Sequence, residues 1–293
     1  MLKKLIGYLR LMRPANVVTS IADVLAGIAI SGFFFHDVSR LPVWLLCIST
    51  IGLYSGGIIL NDVFDAELDA KERPERPIPS GLISKKAATI FGGIMFFIGI
   101  FSAGLYSNTA QYLAAAIMIC CLIYDKFLKH SGIFGPLNMG LCRGLNLLLG
   151  ISIIPEQIQQ YWFLAMVPII YIAAITMISR GEVHGGSKAT LYFAATLYAL
   201  VIGSILYFGI RNGFVPFTSG FLVAFAVMIF IPLYKAIQNP IGPNIGKAVK
   251  SGVIALILMN AAWASAFGFW QIAIYIVILL PLSLWLSKAF AVT

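Results

Sequence analysis

Of the 293 residues only eleven are acidic, and six of these fall between positions 62 and 75. The stretch reads Asn61-Asp62-Val63-Phe64-Asp65-Ala66-Glu67-Leu68-Asp69, directly after an apolar run. On a helix, Asn61, Asp65 and Asp69 lie four apart and Asp62 three before Asp65, so these oxygens share one face. Carboxylates stacked in this way repel one another, which costs stability unless a cation sits among them. Mg²⁺ takes hard oxygen ligands and commonly binds through one or two carboxylates plus the phosphates of a substrate. Asn61, Asp62, Asp65 and Asp69 are therefore candidate metal ligands.

The next residues, Ala70 to Gly81, include three prolines and a glycine, which cannot continue a helix. The acidic helix must end near position 72, and a constrained loop must carry Arg73 and Arg76 around the site. Both guanidinium groups suit phosphate oxygens; both equally suit the ordinary positive charge of a membrane face. Farther along, Arg143 stands in the middle of an apolar segment, where a charge is costly and by default marks an interior site. Asn146, three residues on, shares its face. The structural alternative for this pair is an interhelical hydrogen bond. Asp23 is also intramembrane by position and suits a supporting partner.

These residues need elements to position them, and composition says which. Hydrophobic residues make up 60% of the chain, charged residues 11%, and the mean hydropathy is +0.94. Soluble domains carry roughly a quarter charged residues. The apolar runs are about 20 residues long, the length that crosses a hydrocarbon core. The fold class expected is all-α integral membrane, with spans at 16–36, 42–61, 86–106, 110–128, 134–154, 160–179, 189–209, 216–236, 248–267 and 270–287. The short FGFWQ connection leaves nine or ten as the count. No soluble domain interrupts them, so residues 1–293 read as one transmembrane domain.

Charge placement orients that domain. With the N-terminal side counted as inside, 17 of the 20 basic residues fall on inside segments, which puts the N-terminus in the cytoplasm. The net charge of +9 is then a lipid-facing property, and no soluble basic domain exists to bind nucleic acid. Cys47, Cys120, Cys121 and Cys142 all lie in apolar segments without CxxC spacing and read as small buried side chains. The basic start, MLKKLIGYLRLMRPANVV, reads as an interfacial segment leading into the first span rather than a cleaved signal.

The block NDVFDAELDAKERPERPIPSG resembles the first aspartate-rich motif of the UbiA prenyltransferase superfamily, NDxxDxxxD followed by an RPxRPIPSG-like loop. RPANVVTSIADVLAG in the first span and MGLCRGLNLLLG in the fifth agree with it. The resemblance implies a ring of transmembrane helices around a central cavity, capped on the cytoplasmic side by two aspartate-rich loops whose Mg²⁺ ions hold a prenyl diphosphate. It implies transfer of the isoprenoid to a lipophilic or aromatic acceptor. Mg²⁺ would stabilise the leaving pyrophosphate, and an apolar chamber would shield the electron-poor carbon from water. The resemblance places Arg143 and Asn146 near the diphosphate, matches Tyr124, Lys126 and Lys129 to a Y…K stretch with Lys129 the favoured contact, and adds Asn16 after the RP pair.

The second acidic motif, expected after the sixth span as DxExD, reads here Ser179-Arg180-Gly181-Glu182-Val183-His184. Arg180 and His184 stand at the outer acid positions and only Glu182 remains. One carboxylate, an arginine and a histidine make a poor Mg²⁺ site. Arg180 could clasp the diphosphate directly and His184 act as a base; the alternative is a loop that keeps only polar packing. SRGEVHGG resembles EboC-like UbiA homologues, which implies a bacterial inner membrane and a role in secondary metabolism. A non-catalytic carrier of the same fold in a metabolite-export pathway is the rival reading. A secondary transporter is disfavoured, because no matched pair of broken spans is seen.

Overall fold

The computed structural model describes residues 2–36, 39–129, 131–182 and 185–290. The helices are α1 Leu2–Met12, α2 Pro14–Ile30, α3 Leu41–Phe64, α4 Ala66–Glu72, α5 Lys85–Tyr106, α6 Asn108–Ile123, α7 Phe134–Ile151, α8 Gln157–Tyr161, α9 Met166–Ser179, α10 Lys188–Arg211, α11 Val215–Gln238, α12 Gly242–Ala266 and α13 Trp270–Ala289. Eight of them, taking α8 with α9 and α6 with the turn after it, are long and apolar enough to cross a membrane. The bent pair α1 and α2 makes a ninth. The remaining expected span is α7, an 18-residue helix diluted by Arg143, Asn138 and Asn146. A helix thus stands at every expected position. Where the sequence left a kink open, Gly268 (φ 93°) turns the chain between α12 and α13.

Sequential helices pack as neighbours, and α13 returns against α2 to close the ring. Large apolar side chains that a soluble protein would hide, among them Trp44, Phe97, Tyr112 and Trp285, face outward. Such a surface belongs in lipid. Inside, the broadest apolar cluster gathers Tyr171, Tyr198, Phe225 and Trp263 from α9 to α12; a second joins α2 to α3, α5 and α6.

The helices that carry the polar residues lie closest together. A Cβ added to Gly27 would stand 2.2 Å from the Leu147 carbonyl oxygen, and one on Gly150 2.2 Å from that of Val24. Nothing larger than glycine lets α2 meet α7 backbone to backbone. Membrane helices gain no hydrophobic drive to associate, so such contacts between small residues supply the packing instead. The close crossing sets Asp23 of α2 opposite Arg143 of α7.

Candidate active site

A cavity of about 400 Å³ opens between α2, α3, α6, α7, α9 and α12. Its floor holds Thr50, Tyr54, Arg143 and Asn146, its sides Leu53, Ile117, Ile172, Ile175 and Val253. Around its mouth stand Asn16, Asn61, Asp65, Tyr124 and Asp125, with the cations Arg13, Arg73, Arg76 and Lys129.

The floor is a closed polar network. Arg143 donates from Nη1 to Asp23 Oδ2 at 2.7 Å, and from Nη2 to Thr19 Oγ1 at 2.7 Å and Tyr54 OH at 3.0 Å. The guanidinium lies 4.7 Å from the Tyr54 ring centroid, within cation–π range. Asp23 also accepts from Asn146 at 3.1 Å and from Asn260 of α12 at 2.7 Å. Asn146 accepts from Thr50 at 2.8 Å and donates to the Ser20 carbonyl at 2.9 Å. Asp23 and Arg143 are 1% and 5% exposed, so neither charge could stay there alone.

The mouth is organised differently. Its acidic segment is nearly continuous helix: Asp65 N–H bonds the Asn61 carbonyl at 2.9 Å, and Asp69 N–H that of Asp65 at 2.8 Å. Asn61 and Asp65 share the face toward the cavity. Asp62 and Asp69 are buried behind it, each held by arginine. Arg13 Nη2 donates to Asp62 Oδ1 at 2.6 Å; Arg76 Nη1 donates to Asp69 Oδ2 at 2.7 Å and reaches Asp62 Oδ1 at 3.5 Å. Lys129 Nζ donates to Asp65 Oδ2. The proline-rich loop therefore folds back over the acids, as its composition predicted, and brings both Arg73 and Arg76 to the cavity.

Two local backbone features aim these side chains. Arg13, between α1 and α2, has φ 47° and ψ 65°, and is the one non-glycine residue of positive φ among the described residues. That conformation costs about 1–2 kcal/mol for an L-residue, and Pro14 fixes the turn into α2 behind it. At the end of α6 the chain widens into a π turn over Tyr124–Leu128, with Lys129 N–H bonded to the Tyr124 carbonyl at 2.9 Å, five residues back. Such turns often mark functional positions. This one lets Tyr124, Asp125 and Lys129 all line the cavity. Burial pulls the Lys129 ammonium below its usual range.

The segment after α9 contributes less. Arg180 is exposed and donates from Nη2 to the Ser131 carbonyl at 2.9 Å; it lines a separate outer groove with Gly132 and Ser187. Glu182 is partly buried near Arg73; burial raises its carboxyl, and Arg73 opposes that rise. His184 lies outside the described residues. Sequence reasoning also passed over Arg13 as a partner of the acids, and over Tyr54 and Asp125. Asp125 carried the same signal as the first motif, an acid at a membrane end that otherwise collects lysine.

The donor chemistry suits Mg²⁺ bound jointly with phosphate. Hard oxygens from Asn61, Asp65 and Asp125 face the cavity. Among the described residues no three acids, cysteines or histidines converge into a ready metal cluster, and Mg²⁺ needs only one or two carboxylates when a phosphate completes its shell.

Residues 21–241 match the UbiA prenyltransferase family. The chain is 31% identical over 209 residues to digeranylgeranylglyceryl phosphate synthase of Methanothrix thermoacetophila, covering 68% of this chain and 75% of that one. It is 26% identical to the enzyme of that name from Saccharolobus solfataricus, over 86% of this chain and 96% of that one. A UbiA homologue from Aeropyrum pernix superposes with TM-score 0.70 at 15% identity, covering 84% of this chain and 96% of that one. One from Archaeoglobus fulgidus, solved with GPP and Mg²⁺, superposes at 0.62 and 15% identity, covering 85% and 99%. Both likenesses bear on the fold. With the family match spanning most of the chain, and a ring of membrane helices enclosing an apolar cavity under an acidic and basic mouth, this integral membrane protein belongs to the UbiA prenyltransferase family.

Proposed function

We propose that the protein transfers an isoprenoid from a prenyl diphosphate to a lipophilic acceptor, with Mg²⁺ and the diphosphate held at the cavity mouth. The observation that carries this reading is the mouth itself. Hard-oxygen acids and phosphate-binding cations meet there, directly above apolar walls, and each acid of the first motif has a cationic partner that a diphosphate could take over. Bound Mg²⁺ would neutralise the leaving pyrophosphate as a Lewis acid. Asn61 and Asp65 would hold it from the wall and Asp62 from behind them, while Asp69 keeps Arg76 in place. Arg13, Arg73, Arg76 and Lys129 would receive the phosphate oxygens, with Asn16 and Tyr124 at the rim. Arg143 and Asn146 hold the floor rigid and present Tyr54 to the chamber, and the apolar sides exclude water from the electron-poor carbon.

Arg180 and Glu182 would act from the rim, since Arg180 lines an outer groove, and His184 keeps the role of base that the sequence suggests. The acceptor suggested by the relatives' name is a prenylated glyceryl phosphate rather than an aromatic ring. Secondary metabolism and a bacterial inner membrane rest on the EboC-like SRGEVHGG stretch, whereas the relatives above come from Methanothrix and Saccharolobus. The cytoplasmic placement of the N-terminus and mouth rests on the distribution of basic residues, and the assignment of residues 1–293 to one domain on the closed ring.

The test is thermal unfolding of the detergent-purified protein with geranyl S-thiolodiphosphate, with and without Mg²⁺, beside Asp65→Ala. Binding to the native state raises stability by RT ln(1 + [L]/Kd). Joint stabilisation of the parent but not of the variant is expected. Equal stabilisation of both would sink the assignment, and binding without pyrophosphate release in the presence of acceptor would favour the carrier.

A further inference from the structure

The acids at the mouth do not have equivalent partners. Asp62 is paired with Arg13 and Arg76, Asp69 with Arg76, and Asp65 with Lys129. Asp125 lines the same cavity from a different helix, yet no Lys or Arg among the described residues forms an ion pair with it. Its Oδ1 accepts the Asn61 Nδ2 donor at 2.7 Å, and among the described residues Oδ2 receives no hydrogen bond. A partly buried carboxylate with one oxygen unserved and no cation beside it is an incomplete arrangement. Because an ionised carboxylate only accepts, the bond from Asn61 also fixes that amide: its N–H faces Asp125 and its oxygen is left for another partner.

Of the carboxylates that a second acidic loop would supply, the chain keeps only Glu182. Arg180 is turned to the Ser131 carbonyl, and Glu182 is not part of the cavity wall. Asp125, by contrast, is carried to the wall by the π turn that also delivers Lys129. We infer that Asp125 is a second metal-binding carboxylate of the diphosphate site, supplied from the end of α6 in place of the acids missing after α9. It would act with the Asn61 amide oxygen and take a divalent cation that enters with the phosphates. The inference rests on the Mg²⁺–diphosphate reading above and deepens it.

The experiment is a Mg²⁺ titration of the thermal stabilisation given by geranyl S-thiolodiphosphate, on full-length protein in detergent. Parent, Asp125→Asn, Asp125→Glu and Asp65→Ala are compared, with Mn²⁺ binding followed by electron paramagnetic resonance. Asp125→Asn should raise the Mg²⁺ concentration for half effect by about tenfold or more and weaken the bound-Mn²⁺ signal, while Asp125→Glu recovers most of both. A purely structural role would lower the unfolding temperature without ligand and leave the Mg²⁺ midpoint in place, which overturns the inference. So does a normal midpoint in Asp125→Asn beside a displaced one in Asp65→Ala. Should neither variant move the midpoint, the Mg²⁺–diphosphate reading falls as well, which separates the two failures. If Asp125→Asn does not fold, Asp125→Cys decides: a metal ligand predicts a raised Mg²⁺ midpoint with stabilisation restored by the thiophilic Cd²⁺, and a hydrogen-bond acceptor packed against Asn61 predicts the parent's Mg²⁺ midpoint, which overturns the inference.

Discussion

The floor and the mouth of the cavity are built from the same residue types, aspartate, arginine and asparagine, and they do different work. At the floor Arg143, Asn146 and Asn260 all donate to Asp23, and both Asp23 and Arg143 are buried. At the mouth the side chains of Arg13 and Lys129 are both 20% accessible, and in the function proposed above each cation exchanges its acid for a phosphate. Polar residues in a membrane protein are thus ambiguous until their exchangeability is known. The buried network joins the helices; the more exposed one is where the proposed function brings a charged ligand.

This contrast can be broken from either side. The largest stability effect is expected at the floor, where Asp23→Ala strands the Arg143 charge and should cost about 3–5 kcal/mol, read as lost yield or a lowered midpoint in detergent unfolding. Asp65→Ala at the mouth should cost less stability than Asp23→Ala, because the Asp65–Lys129 pair keeps more exposure than Asp23–Arg143, while lowering prenyl transfer about a hundredfold. A mouth variant as destabilising as the floor variant would erase the distinction. Gly27→Ala should push α2 off α7 and cost about 1–3 kcal/mol by overpacking, with a loss of transfer that follows the misalignment of Asp23 and Arg143. The smallest effect concerns Glu182. Because burial holds its carboxyl above the ordinary glutamate value, the folded state binds that proton more tightly than the unfolded chain. Its contribution is full below the ordinary value and is lost as pH rises through the raised one. Stability should therefore decline slightly as pH rises above the ordinary glutamate value, and Glu182→Gln should flatten that decline in unfolding followed across a pH series.

Much of this was legible in the order of residues. Apolar runs and the placement of Lys and Arg located the helices, and the midspan Arg143 and Asp23 announced an interior because an unpaired charge cannot stay in hydrocarbon. The four-residue spacing of Asn61, Asp65 and Asp69 predicted one shared face, and the structure divides it: Asn61 and Asp65 line the cavity, whereas Asp69 turns to Arg76. What spacing could not give was which oxygens turn to the cavity and which to arginine. Asp62 and Asp69 are taken up by Arg13 and Arg76 from other segments, and that depends on how α2 and the proline-rich loop come to rest against α3. Asp125 carried the signal of an acid at a membrane end, but its place in the cavity wall depends on the π turn over Tyr124–Leu128, which spacing alone did not show.

That turn changes how this stretch should be compared between relatives. In regular α-helix each residue advances the chain by about 100°, and the widened loop at Tyr124–Leu128 absorbs one residue without passing that rotation on. Lys129 meets Asp65 because of the spacing between Tyr124 and Lys129, whatever side chains fill the gap. Two homologues with identical chemistry but one residue's difference in this interval would present different faces to the substrate, so here the length of the segment carries the information that identity carries elsewhere.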